Sequence, residues 1–346
     1  MAPCTEKEDE LITCEGSIEK LIAPQANKRK HQIVYMNLFT FGYWYIAGLY
    51  GLYLFFTSTK WSTIILNIFL IIASGLGITV GAHRLWAHKC FKAKLPLQII
   101  LMILNTLAFQ NTAITWVRDH RMHHKFTDTD ADPHNATRGF FFSHVGWLLV
   151  KKHPELMKRS KHIDMSDIYG NPVLTFQKKY AFPLVATFTF ILPTVVPIYF
   201  WDESLNNAWH ATVFRYAYNL NITFLVNSAA HMWGYRPYDK NIQPTQNIFT
   251  TLCTFGEGFH NYHHTFPWDY RAAELGNNYL NLSTKVIDFF AWIGWAYDLK
   301  TVPADIVNSR AKRTGDGTDL WGGNHKHTLD EKENRELDDY VHKSAF

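Results

Sequence analysis

The chain has 346 residues and a formal net charge of +4, with 47% hydrophobic and 18% charged residues. That composition excludes an intrinsically disordered chain, and so small a charge, with no basic repeat or zinc-finger spacing, excludes nucleic-acid binding as the main role. The mean hydropathy of −0.16 resembles that of a soluble protein, but it averages long apolar runs with polar blocks, and the 16% of aromatic residues, twelve of the chain's residues being Trp, suits membrane interfaces.

Residues 1–30 are polar, begin acidic and end in Lys28-Arg29-Lys30, so no signal peptide is expected. Apolar runs at 33–56 and 61–82, joined by the link 57–60, predict a helical hairpin. Each run has about 20 residues or more, enough to cross a hydrocarbon core of ~30 Å. A third run, 95–116, has the length to cross but carries Asn105, Gln110, Asn111 and Thr115. Residues 117–178 are polar and highly charged. The run 180–200 holds Pro183, Pro193 and Pro197 and predicts a kinked span. The run 208–232 predicts the next, less pure because it contains His210, Arg215, Asn219, Asn221 and Asn227. Residues 233–320 form a second polar block, and 321–346 a charged tail expected to be mobile. Cys4, Cys14, Cys90 and Cys253 follow no framework spacing and read as reduced thiols on the cytosolic side or in the membrane.

Charge sets the expected orientation. The link 201–207 has no Lys or Arg, whereas the N-terminal segment, 84–94, 117–179 and the C-terminal block hold nearly all the basic residues. The positive-inside rule places those blocks in the cytosol and the link in the lumen. Asn135-Ala-Thr and Asn281-Leu-Ser match the glycosylation pattern, but this topology keeps both away from the lumenal machinery.

Histidine is the outlier of the composition. Three clusters stand at the borders of the apolar runs: His83 with His88, His120 with His123 and His124, and His260 with His263 and His264. With His231 they account for nine of the 18 histidines. Positions i, i+3 and i+4 share one face of a helix, so the second and third clusters can aim three imidazoles at one or two metal ions. The offset of five in the first cluster is about 140° of α-helical rotation, and those rings converge only at a frayed or distorted helix end. A lone histidine is more often a packing or surface residue, but two HxxHH clusters and an HxxxxH beside membrane runs point to metal. Neutral imidazole suits Fe, Zn or Cu, and the absence of cysteine from the clusters argues against a structural zinc site. Nine donors exceed what one ion of four to six ligands needs, so two ions are expected. Iron with O2 suits an attack on an unactivated C–H bond, which no acid–base side chain can make. Clusters that serve one site must lie on one side of the membrane. Run 95–116 sits between two of them, so it is expected to lie in the interface or pack against the spans rather than cross.

At this point the residues resemble the membrane acyl-CoA desaturases, the stearoyl-CoA desaturase family, over about 31–320. The resemblance is carried by GAHRLWAH (81–88), AFQN (108–111), RDHRMHHK (118–125), DADPHN (130–135), RGFFFSHVGWLL (138–149), NSAAH (227–231), GEGFHNYHH (256–264) and RTGDGT (313–318). It implies a di-iron centre. One iron would use His83, His88, His124 and His264, with Asn227 acting through a water; the other would use His120, His123, His231, His260 and His263. It implies acyl-CoA as substrate, O2 as co-substrate, and electrons from NADH through cytochrome b5 reductase and cytochrome b5. Its CoA contacts map onto Asn37, Asn111, Arg118, Asp119, Lys151 and Lys152. The last pair departs from the commoner Arg-Lys, which keeps the charge but loses a bidentate donor. Within the family the chain looks most like moth enzymes of sex-pheromone synthesis. Gln243-Pro-Thr-Gln246 is similar to the signature of their Δ11 group; a Δ9 enzyme of general lipid metabolism is the alternative.

The expected architecture is therefore an all-α integral membrane protein of the endoplasmic reticulum. Four transmembrane helices, near 33–56, 61–82, 180–200 and 208–232, lie under a cytosolic helical cap that carries the histidines, and both termini are cytosolic. The acyl chain threads an apolar tunnel between the spans, whose depth fixes the double-bond position; Gly75 and Gly77 either leave room at its wall or serve close helix packing. Two rivals are a membrane di-iron hydroxylase, which shares the clusters but inserts oxygen, and a metal transporter. Transporters place ligands near the bilayer midplane, whereas eight of the nine histidines here lie in polar blocks at the span ends.

Overall fold

The structure, a computed structural model, describes residues 31–274 and 280–319. The expectations for segment 1–30 and the tail 321–346 lie outside them. The predicted hairpin is present as helix α1 (Tyr35–Thr57) and a long helix α2 (Trp61–Ala87). Strand β1 (Lys92–Ala93) follows, then α3 (Leu95–Ala108) and α4 (Ala113–Phe126). After short helices at Pro154–Ser160, Ser166–Tyr169 and Pro172–Lys179 come α5 (Ala181–Trp201) and α6 (Leu205–Asn227). The remainder is built of the brief helices α7 (Ala229–Met232), α8 (Ile248–Cys253) and α9 (His260–Thr265), then α10 (Leu282–Trp292), strand β2 (Ala296–Tyr297) and α11 (Ala304–Thr314). The two strands pair antiparallel, Lys92 with Tyr297 and Ala93 with Ala296. This short clip is the one sheet among the described residues of an otherwise helical fold: it ties the chain after the first histidine cluster to the region beyond α10.

Helices α1, α2 and α5 are each long and apolar enough to cross a bilayer. They expose Phe39, Ile46, Phe56, Ile65, Phe69, Phe182 and Phe200, which fits an apolar solvent rather than water. Helix α6 has 23 residues, but its polar content keeps it out of that group. The hydropathy average misses where the polar groups point: Asn207, Arg215 and Asn219 are buried. Arg215 donates to the carbonyls of Leu107 (3.2 Å) and Thr189 (2.7 Å). Leu107 stands in the last turn of α3, where carbonyls lack helical partners. Thr189 stands four residues before Pro193, which has no N–H to offer it. The guanidinium thus satisfies two acceptors that helix ends and prolines leave free. The predicted span 208–232 is not continuous: α6 ends at Asn227 and a break at Ser228 precedes α7.

Run 95–116 is broken as well. Phe109 and Asn111 adopt left-handed φ values of 49° and 69°, and α3 and α4 meet at a bend of 82°. Helix α3 packs along α2, and α4 turns away carrying the second histidine cluster. Contact between α2 and α3 depends on Gly77, where a Cβ would stand 2.2 Å from the backbone carbonyl carbon of Leu104. Gly51 does the same for α1 on α6, where a Cβ would lie 2.1 Å from the His210 oxygen. Where the elements meet below the histidines they enclose a core of Val80, Leu97, Leu101, Ala113, Val117, Leu174 and Ile287.

Gly77→Ala is expected to lower the thermal unfolding midpoint in detergent, because forcing a Cβ into helix backbone costs about 1–3 kcal/mol or more. Gly42→Ala, with nothing within 4 Å of the added carbon, is the matched control and should unfold at the wild-type temperature. Equal midpoints for both variants would remove the close-packing reading of Gly77.

Candidate metal centre

The spacing of five between His83 and His88 is explained by local geometry. Residues Gly77–Ala87 form a π-helix, in which amides bond to carbonyls five residues back. The His88 amide bonds the His83 carbonyl at 3.1 Å, so the two rings come round to one side where α-helical geometry would splay them. The second cluster lies on α4, whose first turn is capped by Thr112 accepting from the Thr115 amide. The third occupies α9, and His231 lies in α7.

All nine histidines converge, in two groups. His83, His88, His120, His124 and His263 form one, and His123, His231, His260 and His264 the other; within each, the ligand nitrogens lie within 4.8 Å of one another. In the first group Nε2 of His83 approaches Nε2 of His263 at 2.9 Å, His88 that of His120 at 2.7 Å, and His124 that of His263 at 3.0 Å. In the second the His231–His260, His260–His264 and His123–His264 separations are 3.0, 3.1 and 3.2 Å. This corrects the division implied by resemblance, which put His120 and His263 in one set and His264 in the other. The reason is helical: pairs at i, i+4 share a face, so His120 stays with His124 and His260 with His264, while His123 and His263 cross over to the opposite group.

The sequence reading missed the carboxylates behind the rings. Glu257 meets Nδ1 of His83 at 2.8 Å, Asp132 meets Nδ1 of His123 at 2.9 Å, and Asp128 meets Nδ1 of His231 at 2.9 Å. A ring whose Nδ1–H donates to a carboxylate presents a bare Nε2 inward, the arrangement metal sites use to fix tautomer and orientation. Glu257 is itself held by Arg84 at 2.8 Å; Asp132 accepts from the amides of Asp128 and His134. The signal was in the sequence, since these acids lie within or beside DADPHN and GEGFHNYHH.

Electrostatics favour neutral rings. Burial first, and then neighbouring imidazoles, hold His120, His124, His260, His263 and His264 well below the ordinary imidazole range; for His88, burial is joined by His83 and Arg121. Burial pushes His123 the same way, but Asp132 outweighs it and raises that pKa. Burial also works to raise the Asp132 and Glu257 carboxyls, yet His123 and His134 for the first, and Arg84 and His83 for the second, leave both below the usual carboxylate range. Neutral imidazoles backed by ionised carboxylates, with no thiolate among them, form a donor set suited to a divalent transition metal.

A cavity of about 590 Å³ leads to this centre. All six residues matched to CoA contacts line it: Asn37, Asn111, Arg118, Asp119, Lys151 and Lys152. Asp119 bonds Arg118 at 2.9 Å and Lys152 at 2.6 Å, which holds the two cations together. Further in, the wall is Trp44, Phe109, Trp147, Tyr216 and Phe224. Trp116, His120, Thr223 and Asn227 are shared with a second, smaller cavity of about 50 Å³ that continues to Gly75, Ile78, Ile222, Val226 and Phe255. Asn227 and His120 therefore line both cavities, which adjoin at these residues. Gly75 lets the Phe255 ring close in, since a Cβ there would lie 2.5 Å from it.

Helices able to cross a membrane, two histidine groups able to hold metal and cavities lined by those histidines define a narrow, histidine-rich class of helical protein. Residues 59–276 match the model of the fatty acid desaturase family. The chain is 65% identical to an acyl-CoA Delta(11) desaturase of Spodoptera littoralis, over 93% of this chain and 95% of that one. It is 66% identical to an acyl-CoA Delta(11) desaturase of Choristoneura rosaceana, over 93% and 96%. An acyl-CoA Delta-9 desaturase of Acheta domesticus is 58% identical, over 87% and 85%. The protein belongs to the fatty acid desaturase family.

Carboxylates behind metal-ligating histidines typically contribute 10–100-fold in metal affinity or activity. Asp132→Asn and Glu257→Gln are each expected to lower retained metal, measured by plasma mass spectrometry after dialysis against a weak chelator, by about that factor. His120→Ala and His263→Ala should abolish activity, and the exposed His162→Ala should leave it unchanged. Full activity in either of the first two would remove the metal assignment.

Proposed function

We propose that this protein is a membrane acyl-CoA desaturase with a di-iron centre, which introduces a double bond, mainly at Δ11, into saturated fatty acyl-CoA. The observation that carries this reading is a pair of adjoining cavities: one lined by Arg118, Lys151, Lys152 and aromatic rings, the other largely apolar and lined by histidines of both groups. Such a shape accepts a ligand charged at one end and aliphatic at the other. Lys151, Lys152 and Arg118 would bind the CoA phosphates, with Asp119 fixing the cations, and Asn37 and Asn111 would hold polar groups of the CoA. The aromatic walls exclude water and keep the chain extended. Two irons, held by the nine histidines with Asn227 assisting through a water, would supply with O2 the oxidising power to remove hydrogen from two adjacent methylenes. The histidines act as ligands, and Glu257, Asp132 and Asp128 keep them oriented. Electrons would come from NADH through cytochrome b5 reductase and cytochrome b5.

The position of the double bond follows from how far the chain passes the histidines before it meets the Phe255 ring. Δ11 is supported by the names of the moth relatives; Δ9 is the second reading, supported by the cricket relative. The decisive test is expression in desaturase-deficient yeast fed saturated acids, with double bonds located by mass spectrometry of dimethyl disulfide adducts. Loss of two hydrogens and a Δ11-dominated pool are expected. A Δ9-dominated pool would refute the position alone, and products that gain an oxygen atom would refute desaturation.

The same reading takes α6 as a fourth span, puts the histidine end and both termini in the cytosol, and locates the enzyme in the endoplasmic reticulum. The basic segments around the histidines and the cation-free link 201–207 support it. An acceptor sequence engineered at 203–206 should be glycosylated and Asn135 should not. Sugar at Asn135 would overturn this topology.

A further inference from the structure

The four residues Gln243-Pro-Thr-Gln246, which sequence likeness ties to the Δ11 group, line neither cavity. They lie instead between the two shortest histidine-bearing elements. The Thr245 amide donates to the Ala230 carbonyl at 2.7 Å, and its hydroxyl reaches the carbonyls of Ala230 and Trp233 at 2.9 Å each. These contacts grip α7, which carries His231. On the other side Gln246, only 1% exposed, turns its Oε1 to the amides of Asn261 at 3.2 Å and Tyr262 at 3.5 Å. The Asn261 side chain returns a bond to the Pro244 carbonyl at 2.9 Å. The Gln246 backbone also pairs with Tyr235 and bridges to Phe259.

Helix α9 has six residues and no side-chain cap from its own N-cap residue Phe259. A helix that short does not hold itself, and its first amides need acceptors. Gln246 supplies one. His231 and His260, whose Nε2 atoms stand 3.0 Å apart, are therefore spaced by a strut through Thr245 and Gln246. We propose that Gln246, with Thr245, is a positioning residue for the second histidine group and sets the distance of His231 from His260 and His264, without reading the acyl chain. This rests on the reading of that group as a metal site.

The test compares full-length wild type with Gln246→Leu, Gln246→Glu and Thr245→Val, purified in detergent. Metal per chain, metal retention against a chelator, kcat, KM for acyl-CoA and double-bond position are measured for each. Gln246→Leu should retain metal about 10–100-fold less well at one of two sites, with kcat reduced at least tenfold, while KM and double-bond position stay unchanged. Gln246→Glu keeps an oxygen facing the same two amides and should retain both metals; the Gln246 Nε2 it replaces is buried without a partner among the described residues. Wild-type metal content and kcat in Gln246→Leu, or a shifted double bond with full metal, would overturn the proposal. If Gln246→Leu does not accumulate, Thr245→Val decides: it keeps shape and removes only the hydroxyl, so weakened retention at one site supports the strut and full retention overturns it. A wild-type chain that binds no metal would remove the underlying metal reading, and the strut with it.

Discussion

The structure depends on keeping nine imidazoles close together and aimed inward. Rings whose nitrogens lie within 4.8 Å of one another repel strongly if protonated, since unit charges 4 Å apart interact by about 4 kcal/mol even at an effective dielectric of 20. Burial supplies the first half of the answer by disfavouring the charged form. Glu257, Asp132 and Asp128 supply the second by holding the Nδ1 protons of His83, His123 and His231 on the outside. Three ionised carboxylates beside so many buried rings carry a desolvation cost of their own, offset by Arg84 and by backbone amides.

That demand propagates into the architecture. Donors from four separate elements, α2, α4, α7 and α9, must reach one end of the helical bundle, so α3 cannot run straight on into α4. The chain breaks at Phe109 and Asn111, and the break frees carbonyls at the end of α3. Arg215 occupies that position, binding Leu107 and also the Thr189 carbonyl that Pro193 cannot satisfy. A buried cation among apolar helices is costly when unpaired, and here both terminal nitrogens of the guanidinium meet backbone acceptors, leaving Nε buried without a partner among the described residues. Arg215 on α6 thus answers the bend in a neighbouring helix, while Asn207 bonds Ser58 and Glu203 and Asn219 bonds Ile71 and Ser74; turned inward, these polar residues make the most enclosed long helix the least membrane-like in sequence.

This is also why the sequence is legible in some places and not others. The hairpin, the run 180–200 and the convergence of the histidine clusters follow from run length, spacing and the requirement of a common side, all of which are local or topological. The π-helical turn through His83 and His88 left only an awkward offset of five as its trace, because periodicity rules assume α geometry. The division of histidines into two groups was encoded in the i, i+4 pairs of α4 and α9, but likeness to a family overrode that rule and misplaced His120, His263 and His264. The carboxylates were visible as residues yet not as partners, since Asp132 lies nine positions from His123 and Glu257 lies 174 from His83, with no periodicity linking them. The β clip escaped because two residues make no pattern.

The π-helical end of α2 joins chemistry to specificity. Its register sets His83 and His88 on one side, and the same stretch, with the turn before it, presents Gly75, Ile78 and Thr79 to the inner cavity. Two of the donors and one wall of the inner cavity are therefore parts of a single helical element, packed on α3 through Gly77. A change of register here would move the ligands along with the wall, so the distance between metal and chain end cannot be tuned by sliding α2. On the proposed function it is tuned by side chains that face the cavity, among them Phe255 against Gly75, Ile78 on α2, and Ile222 with Val226 on α6. On the proposed function, relatives named for different double-bond positions are expected to differ in the depth of this cavity rather than in the histidine groups.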